Sequence, residues 1–81
     1  SFEGADLREC KLSGCVFSRC GLSGALLTNA DLTKADLRGS RADGVGFLHL
    51  KMKDTKIDLE QAVLIAEALG ARFCGEGNDG D

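Results

Sequence analysis

The sequence predicts a repeat solenoid in which the chain turns a corner every five residues. An apolar residue recurs at every fifth position from 2 to 57, and the phase never slips. The residue two places earlier is small from Ala5 to Ser40. A period of five fits neither a 3.6-residue helix nor a two-residue strand, so neither element would keep these side chains on one face. A fixed internal period indicates stacked structural repeats instead.

Within each repeat the apolar residue occupies position i, flanked by positions i−2 to i+2. Two consecutive repeats over residues 30–39 show the pattern most clearly, each reading Ala-Asp-Leu followed by two polar or glycine residues. Positions i+1 and i+2 are rich in Ser, Thr, Gly, Lys and Arg, which suits solvated corners. Glycine at 14, 24, 39 and 44 permits corners that need a positive φ.

These repeats resemble the pentapeptide-repeat family, whose repeat is A-(D/N)-L-x-x. The resemblance implies an all-β solenoid, a right-handed quadrilateral β-helix with four repeats per coil. About three coils would fit, giving a rod of only about 14 Å at a strand spacing of roughly 4.8 Å. Residues twenty apart should then stack as core columns. The expected columns are Leu12, Leu32 and Met52; Phe17, Leu37 and Ile57; and Ala5, Ala25 and Val45.

The repeats begin in full phase at Phe2, with no capping segment before them. Terminal repeats of a solenoid normally carry a polar cap. The apolar residues of the first coil are therefore expected to be uncovered on one side. Two explanations remain open: the chain is the C-terminal part of a longer solenoid, or another molecule covers this end.

The period changes at Asp58, where a helix is predicted. Asp58 and Gln61 have the spacing of a capping box, and Gly70 is placed to end the helix at C′. The apolar face predicted to close the solenoid contains Leu59, Ala62, Val63, Ala66 and Leu69, with Ile65 at its edge. The sequence thus divides into a repeat β-helix (1–57), a capping and dimerisation helix with a short strand at 71–74 (58–74), and a disordered tail (75–81).

The ending is similar to that of the MfpA/Qnr-type quinolone-resistance subgroup. The similarity rests on residues 56–63, the Ala-rich helix and Leu69-Gly70. It implies a tail-to-tail homodimer through the C-terminal helix, and Leu64 and Ala68 are expected to point away from the coils. With Phe73, they form the predicted dimer interface. In that subgroup the rod mimics B-DNA in shape and charge and binds DNA gyrase.

Composition excludes several other classes of protein. No apolar run is long enough to cross a membrane. Cys10, Cys15 and Cys20 are five apart, without a Cys-x-x-Cys pair, and are interpreted as small apolar residues, with a structural zinc site as the alternative. Reduced thiols favour the cytoplasm. The single histidine, His49, falls at a corner, so neither a catalytic site nor a cofactor or small-molecule site is predicted.

The leading hypothesis is therefore a non-enzymatic protein that binds DNA gyrase by DNA mimicry and confers quinolone protection. The alternative is a scaffolding solenoid with a different protein partner and no topoisomerase role. The charge of residues 1–57 counts against DNA mimicry, because their nine Lys or Arg and seven acids make the coils slightly basic. Direct nucleic-acid binding is not predicted, because no basic patch with interleaved aromatic residues occurs in the sequence.

Overall fold

The computed structural model describes residues 1–75, in which segments twenty residues apart lie side by side. They are joined by single parallel bridges instead of long strands, because the chain turns a corner after each one. The bridges join Asp6 to Leu26, Lys11 to Asp31, Val16 to Asp36, Gly21 to Arg41, Asp31 to Lys51, and Asp36 to Lys56. We refer to residues 1–20, 21–40 and 41–57 as the first, second and third turns.

The turns are held together by a repeating backbone ladder. The N–H at position i donates to a carbonyl nineteen residues later, as from Leu32 to Lys51 at 2.8 Å. The N–H at i−1 donates in the opposite direction, as from Lys51 to the Ala30 carbonyl at 3.2 Å. The ladder therefore fixes the register at twenty residues. A shift of one residue would point position i outward.

Each corner is a four-residue β-turn, and its residue i+2 has a left-handed backbone conformation. The Ala35 N–H donates to the Leu32 carbonyl at 2.8 Å, which closes one such turn. Position i+2 has a positive φ in every repeat from Gly4 to Asp54, as a type II turn requires. Non-glycine residues accept this conformation too, with φ at 61° for Lys34 and 63° for His49. This strain costs about 1–3 kcal/mol per residue and persists only because the ladder on both sides fixes the backbone.

Side chains at i and i−2 fill the interior completely. Leu32 and Leu37 are each 1% exposed, and the alanines that precede them, Ala30 and Ala35, are 0% exposed. The register stacks Leu12, Leu32 and Met52 in one column and Phe17, Leu37 and Ile57 in another. The middle turn is buried most deeply because it alone has a neighbour on each side.

At the start of the helix α1, Leu59–Ala68, the side chains of Asp58 and Gln61 take the places of backbone groups in the ladder. The ladder would pair the Gly39 N–H with the Asp58 carbonyl, nineteen residues later. That carbonyl accepts from the Ala62 N–H inside the helix, so the Gly39 N–H donates to the Asp58 carboxylate at 2.9 Å. Its other oxygen accepts from the Gln61 N–H at 3.0 Å, forming a capping box. The Gln61 side-chain amide donates to the Ser40 carbonyl at 2.9 Å, where the ladder would otherwise need the N–H of residue 61. The capping residues thus join the helix to the second turn.

The helix ends in a Schellman motif. Gly70 has a φ of 96°, its N–H donates to Glu67, and the Ala71 N–H donates to the Ala66 carbonyl. The short strand predicted for 71–74 was wrong, because these exposed residues adopt no regular secondary structure. Of the tail predicted to be disordered, residues 76–81 lie outside the described part of the chain.

Truncating the central column should cost far more stability than truncating an outward residue. Leu32→Ala removes a fully buried side chain and should lower the free energy of unfolding by about 2–5 kcal/mol. Thr28→Ala, at an exposed i+1 position, should cost under about 0.5 kcal/mol. Thr33 is a poorer control, because its hydroxyl donates to Asp31 at 2.6 Å. Urea denaturation measures both changes, and equal losses at Leu32 and Thr28 would contradict the five-residue phase.

Candidate interaction surfaces

The cysteines and the histidine form no shared metal site in the part of the chain that the structure describes. Across residues 1–75, no group of three or more His, Cys, Asp or Glu side chains is placed to hold a metal ion. Cys10 and Cys20 are half-buried, whereas Cys15 is exposed. His49 is exposed at its corner.

The helix packs on the solenoid through a different face from the one predicted. Leu64, Ile65 and Ala68 contact the core cluster, and Gln61 is 1% exposed. The expectation that Leu64 and Ala68 point away from the coils was therefore wrong. The ladder register could have predicted the buried face of the helix. Residue 61 lies twenty-one positions after Ser40, so Gln61 lies over Ser40, and the face of the helix that carries Gln61 packs on the coils.

The face predicted to be buried instead forms an open apolar groove. The groove has a volume of about 310 Å³ and is lined by Leu59, Ala62, Val63, Ala66, Ala71, Arg72 and Phe73. Leu59 is 80% exposed and Phe73 is 62% exposed, so both project from the surface. The alanines between them leave shallow depressions. We call these seven residues the helix groove.

The aspartates that recur at i−1 are held locally. Asp36 accepts from the Arg38 N–H at 3.1 Å, and the Arg38 guanidinium donates to both carboxylate oxygens. These bonds lower the pKa of Asp36 to about 2, and the same contacts from Arg8 lower the pKa of Asp6 to about 2. Asp31 is bonded to the Thr33 hydroxyl and N–H, which also lowers its pKa. All three remain charged near pH 7, and they fix the corners without forming a shared site.

The twenty-residue register sorts the charges onto four sides. Sides I to IV are centred on Phe2, Leu22 and Ala42; Leu7, Leu27 and Phe47; Leu12, Leu32 and Met52; and Phe17, Leu37 and Ile57. Side I has two acids and one arginine, and so does side II. Side III has four lysines and two aspartates, giving a formal charge of +2. Side IV has Arg19, Arg38 and Lys56 with Asp36 and Asp58, a formal charge of +1. The net charge of −3 for the whole chain therefore hides two basic sides, III and IV, opposite the acidic sides I and II.

Among the described residues, no helix is both long enough and apolar enough to span a membrane. No curated protein matches the sequence. The solved structures that resemble the fold include two of trypsin-treated variants of QnrB1, a plasmid-mediated fluoroquinolone resistance protein. Each is 22% identical and aligns over 91% of this chain, with TM-scores of 0.42 and 0.43. The chain spans less than half of their length, 42% and 43%.

A comparison with protein families agrees with the ladder seen in the structure. The sequence profile described as pentapeptide repeats matches eight copies, over residues 1–39 and 20–57. These ranges together cover well over half of the chain and end where the five-residue period gives way to Asp58 and the helix. The chain therefore belongs to the pentapeptide-repeat family, and its fold is a right-handed β-helix.

Proposed function

We propose that this chain is a non-catalytic binding protein that acts through its outer surface. Residues 1–57 form about three coils of a quadrilateral β-helix, and residues 58–74 close it and present the helix groove. The observation that carries this proposal is the filled interior, where Leu22, Leu27, Leu32 and Leu37 are each at most 2% exposed. A protein with no room for a small ligand between its coils recognises partners by shape and charge. Four cysteines that form no disulfide suit a reducing cytoplasm.

The candidate partner is DNA gyrase, with protection from quinolones as the outcome. The similarity of residues 56–70 to the MfpA/Qnr-type ending supports this choice. Sides I and II, with Glu3 and Asp43 on one and Asp6 and Glu9 on the other, supply the acidic surface. A DNA-binding enzyme neutralises phosphates with Lys and Arg, so an acidic face can occupy the same surface.

A scaffolding role with a different protein partner is the second candidate. The observation in its favour is the charge of side III, because a DNA mimic gains nothing from lysine side chains facing a basic enzyme. In this case gyrase would not respond to the protein, and side III would be its main contact surface.

A supercoiling assay separates these two candidates. The protein should inhibit gyrase supercoiling at micromolar concentrations or below, and added DNA should relieve the inhibition by competition. Glu3→Gln with Glu9→Gln should weaken inhibition, since both acids lie on sides I and II. The matched control is Glu60→Gln with Glu67→Gln, which removes the same charge from the exposed part of the helix. Unaffected supercoiling would favour the scaffold.

We further propose that the helix groove joins two copies of the chain. A twofold interface must be self-complementary, and the groove offers both halves of such a contact. Leu59 and Phe73 project, and Ala62 and Ala66 leave space, so the projecting side chains of one copy can enter the depressions of the other. This moves the dimer interface from Leu64 and Ala68 to the opposite face of α1 and retains Phe73.

Two neighbouring substitutions test the position of the interface. Val63→Glu places a charge in the groove and should give a folded monomer, because Val63 lies outside the core cluster. Leu64→Glu adds the same charge next to the core and should lower the melting temperature of the protein. Light scattering across a dilution series, with thermal denaturation, measures both. A monomeric wild type, or a Val63→Glu variant that stays dimeric, would contradict the proposal.

A further inference from the structure

We propose that side III binds the phosphate backbone of duplex DNA, recognised by charge and without base sequence. This inference goes beyond the gyrase proposal and does not depend on it. The linear sequence conceals the surface, because its lysines are separated by up to forty-two positions, from Lys11 to Lys53. The twenty-residue register brings them onto one side of the rod.

The ladder sets the spacing of these lysines. Lys11 bridges to Asp31 and Asp31 bridges to Lys51, so all three lie in one column along the axis. Neighbouring turns are roughly 4.8 Å apart, which places the two lysine backbones about 10 Å from each other. Lys53 follows two residues after Lys51 on the same turn, and Lys34 lies at the corner of the second turn. Four ammonium groups thus share one exposed face.

In residues 1–75 these ammonium groups form no ion pair within 4.0 Å, although the charge of Lys51 adds to the Thr33 hydrogen bonds in lowering the pKa of Asp31. In residues 1–75 the ion pairs within 4.0 Å involve arginines alone, Arg8, Arg38 and Arg41. Asp31 lies between the lysines. One of its carboxylate oxygens accepts hydrogen bonds from the Thr33 N–H at 3.0 Å and from the Thr33 hydroxyl at 2.6 Å. The lysines therefore keep their capacity to bind an external anion.

The outward residues of side III favour a phosphate backbone over other anionic surfaces. They are Lys, Ser, Thr, Asp and Gly, so no apolar side chain is available to enter a lipid bilayer. No aromatic side chain is available to stack on an unpaired base. The nearby hydroxyls of Thr33 and Ser13 are engaged by Asp31, so the phosphate contacts come from the lysines. Such contacts position a duplex without reading its sequence.

The test is fluorescence anisotropy of a labelled duplex of random sequence, titrated with the full 81-residue chain at several salt concentrations. Four lysine–phosphate contacts predict a log–log slope near −3.6, a loss of roughly a hundredfold in affinity between 50 and 200 mM salt. Lys51→Gln with Lys53→Gln should reduce the slope to about −1.8, a loss of roughly tenfold over the same range. Circular dichroism confirms that each variant is folded.

The matched control is Arg8→Gln with Arg41→Gln, which removes the same charge from sides II and I. It should bind the duplex as the wild type does. The proposal is overturned if the wild type does not bind the duplex at 50 mM salt, or if the control loses as much affinity as the lysine variant. Equal or tighter binding to poly-glutamate, used as a probe for an acidic protein surface, would also overturn it.

Discussion

The backbone ladder between turns twenty residues apart is the interaction on which the rest of the structure depends. It fixes the direction of every side chain: position i points inward, and positions i−1 and i+1 point outward. It also compensates the strained corners, because residues such as Lys34 and His49 hold a positive φ only where hydrogen bonds on both sides fix the backbone. The filled core and the separation of charge onto four sides both follow from this register.

The end of the ladder determines where the apolar groove lies. The third turn ends at residue 57, before it has covered the whole of the second turn. Some N–H and carbonyl groups of the second turn are therefore left without a backbone partner. The Asp58 carboxylate and the Gln61 amide take two of these places at Gly39 and Ser40. Because Gln61 must face the coils, Leu64 and Ala68 turn inward with it, and Leu59, Ala62 and Val63 are left on the outside. The surface proposed for dimerisation is therefore a consequence of backbone hydrogen bonding and not of helix amphipathicity alone.

Most of the fold could be predicted from the sequence, because the five-residue period leaves few alternatives. The period predicted the inward residues and the positive-φ corners, and the spacing of Asp58, Gln61 and Gly70 predicted both ends of the helix. The orientation of the helix could not be predicted from its pattern, since α1 is apolar around most of its circumference and a helical wheel identifies two possible buried faces. The basic side III was also missed, because the nearest lysines in its column, Lys11 and Lys51, are forty residues apart in the chain.

Native-state amide hydrogen exchange tests the central claim most directly, because the ladder predicts protection with a period of five. The amides of Leu12, Leu22 and Leu32, which donate between turns, should exchange slowly. The amides of Ser23 and Thr28, at i+1 and without a hydrogen-bond acceptor in the structure, should exchange fast. Slow exchange at Ser23 and Thr28, or a slow set recurring with a helical period, would contradict the ladder.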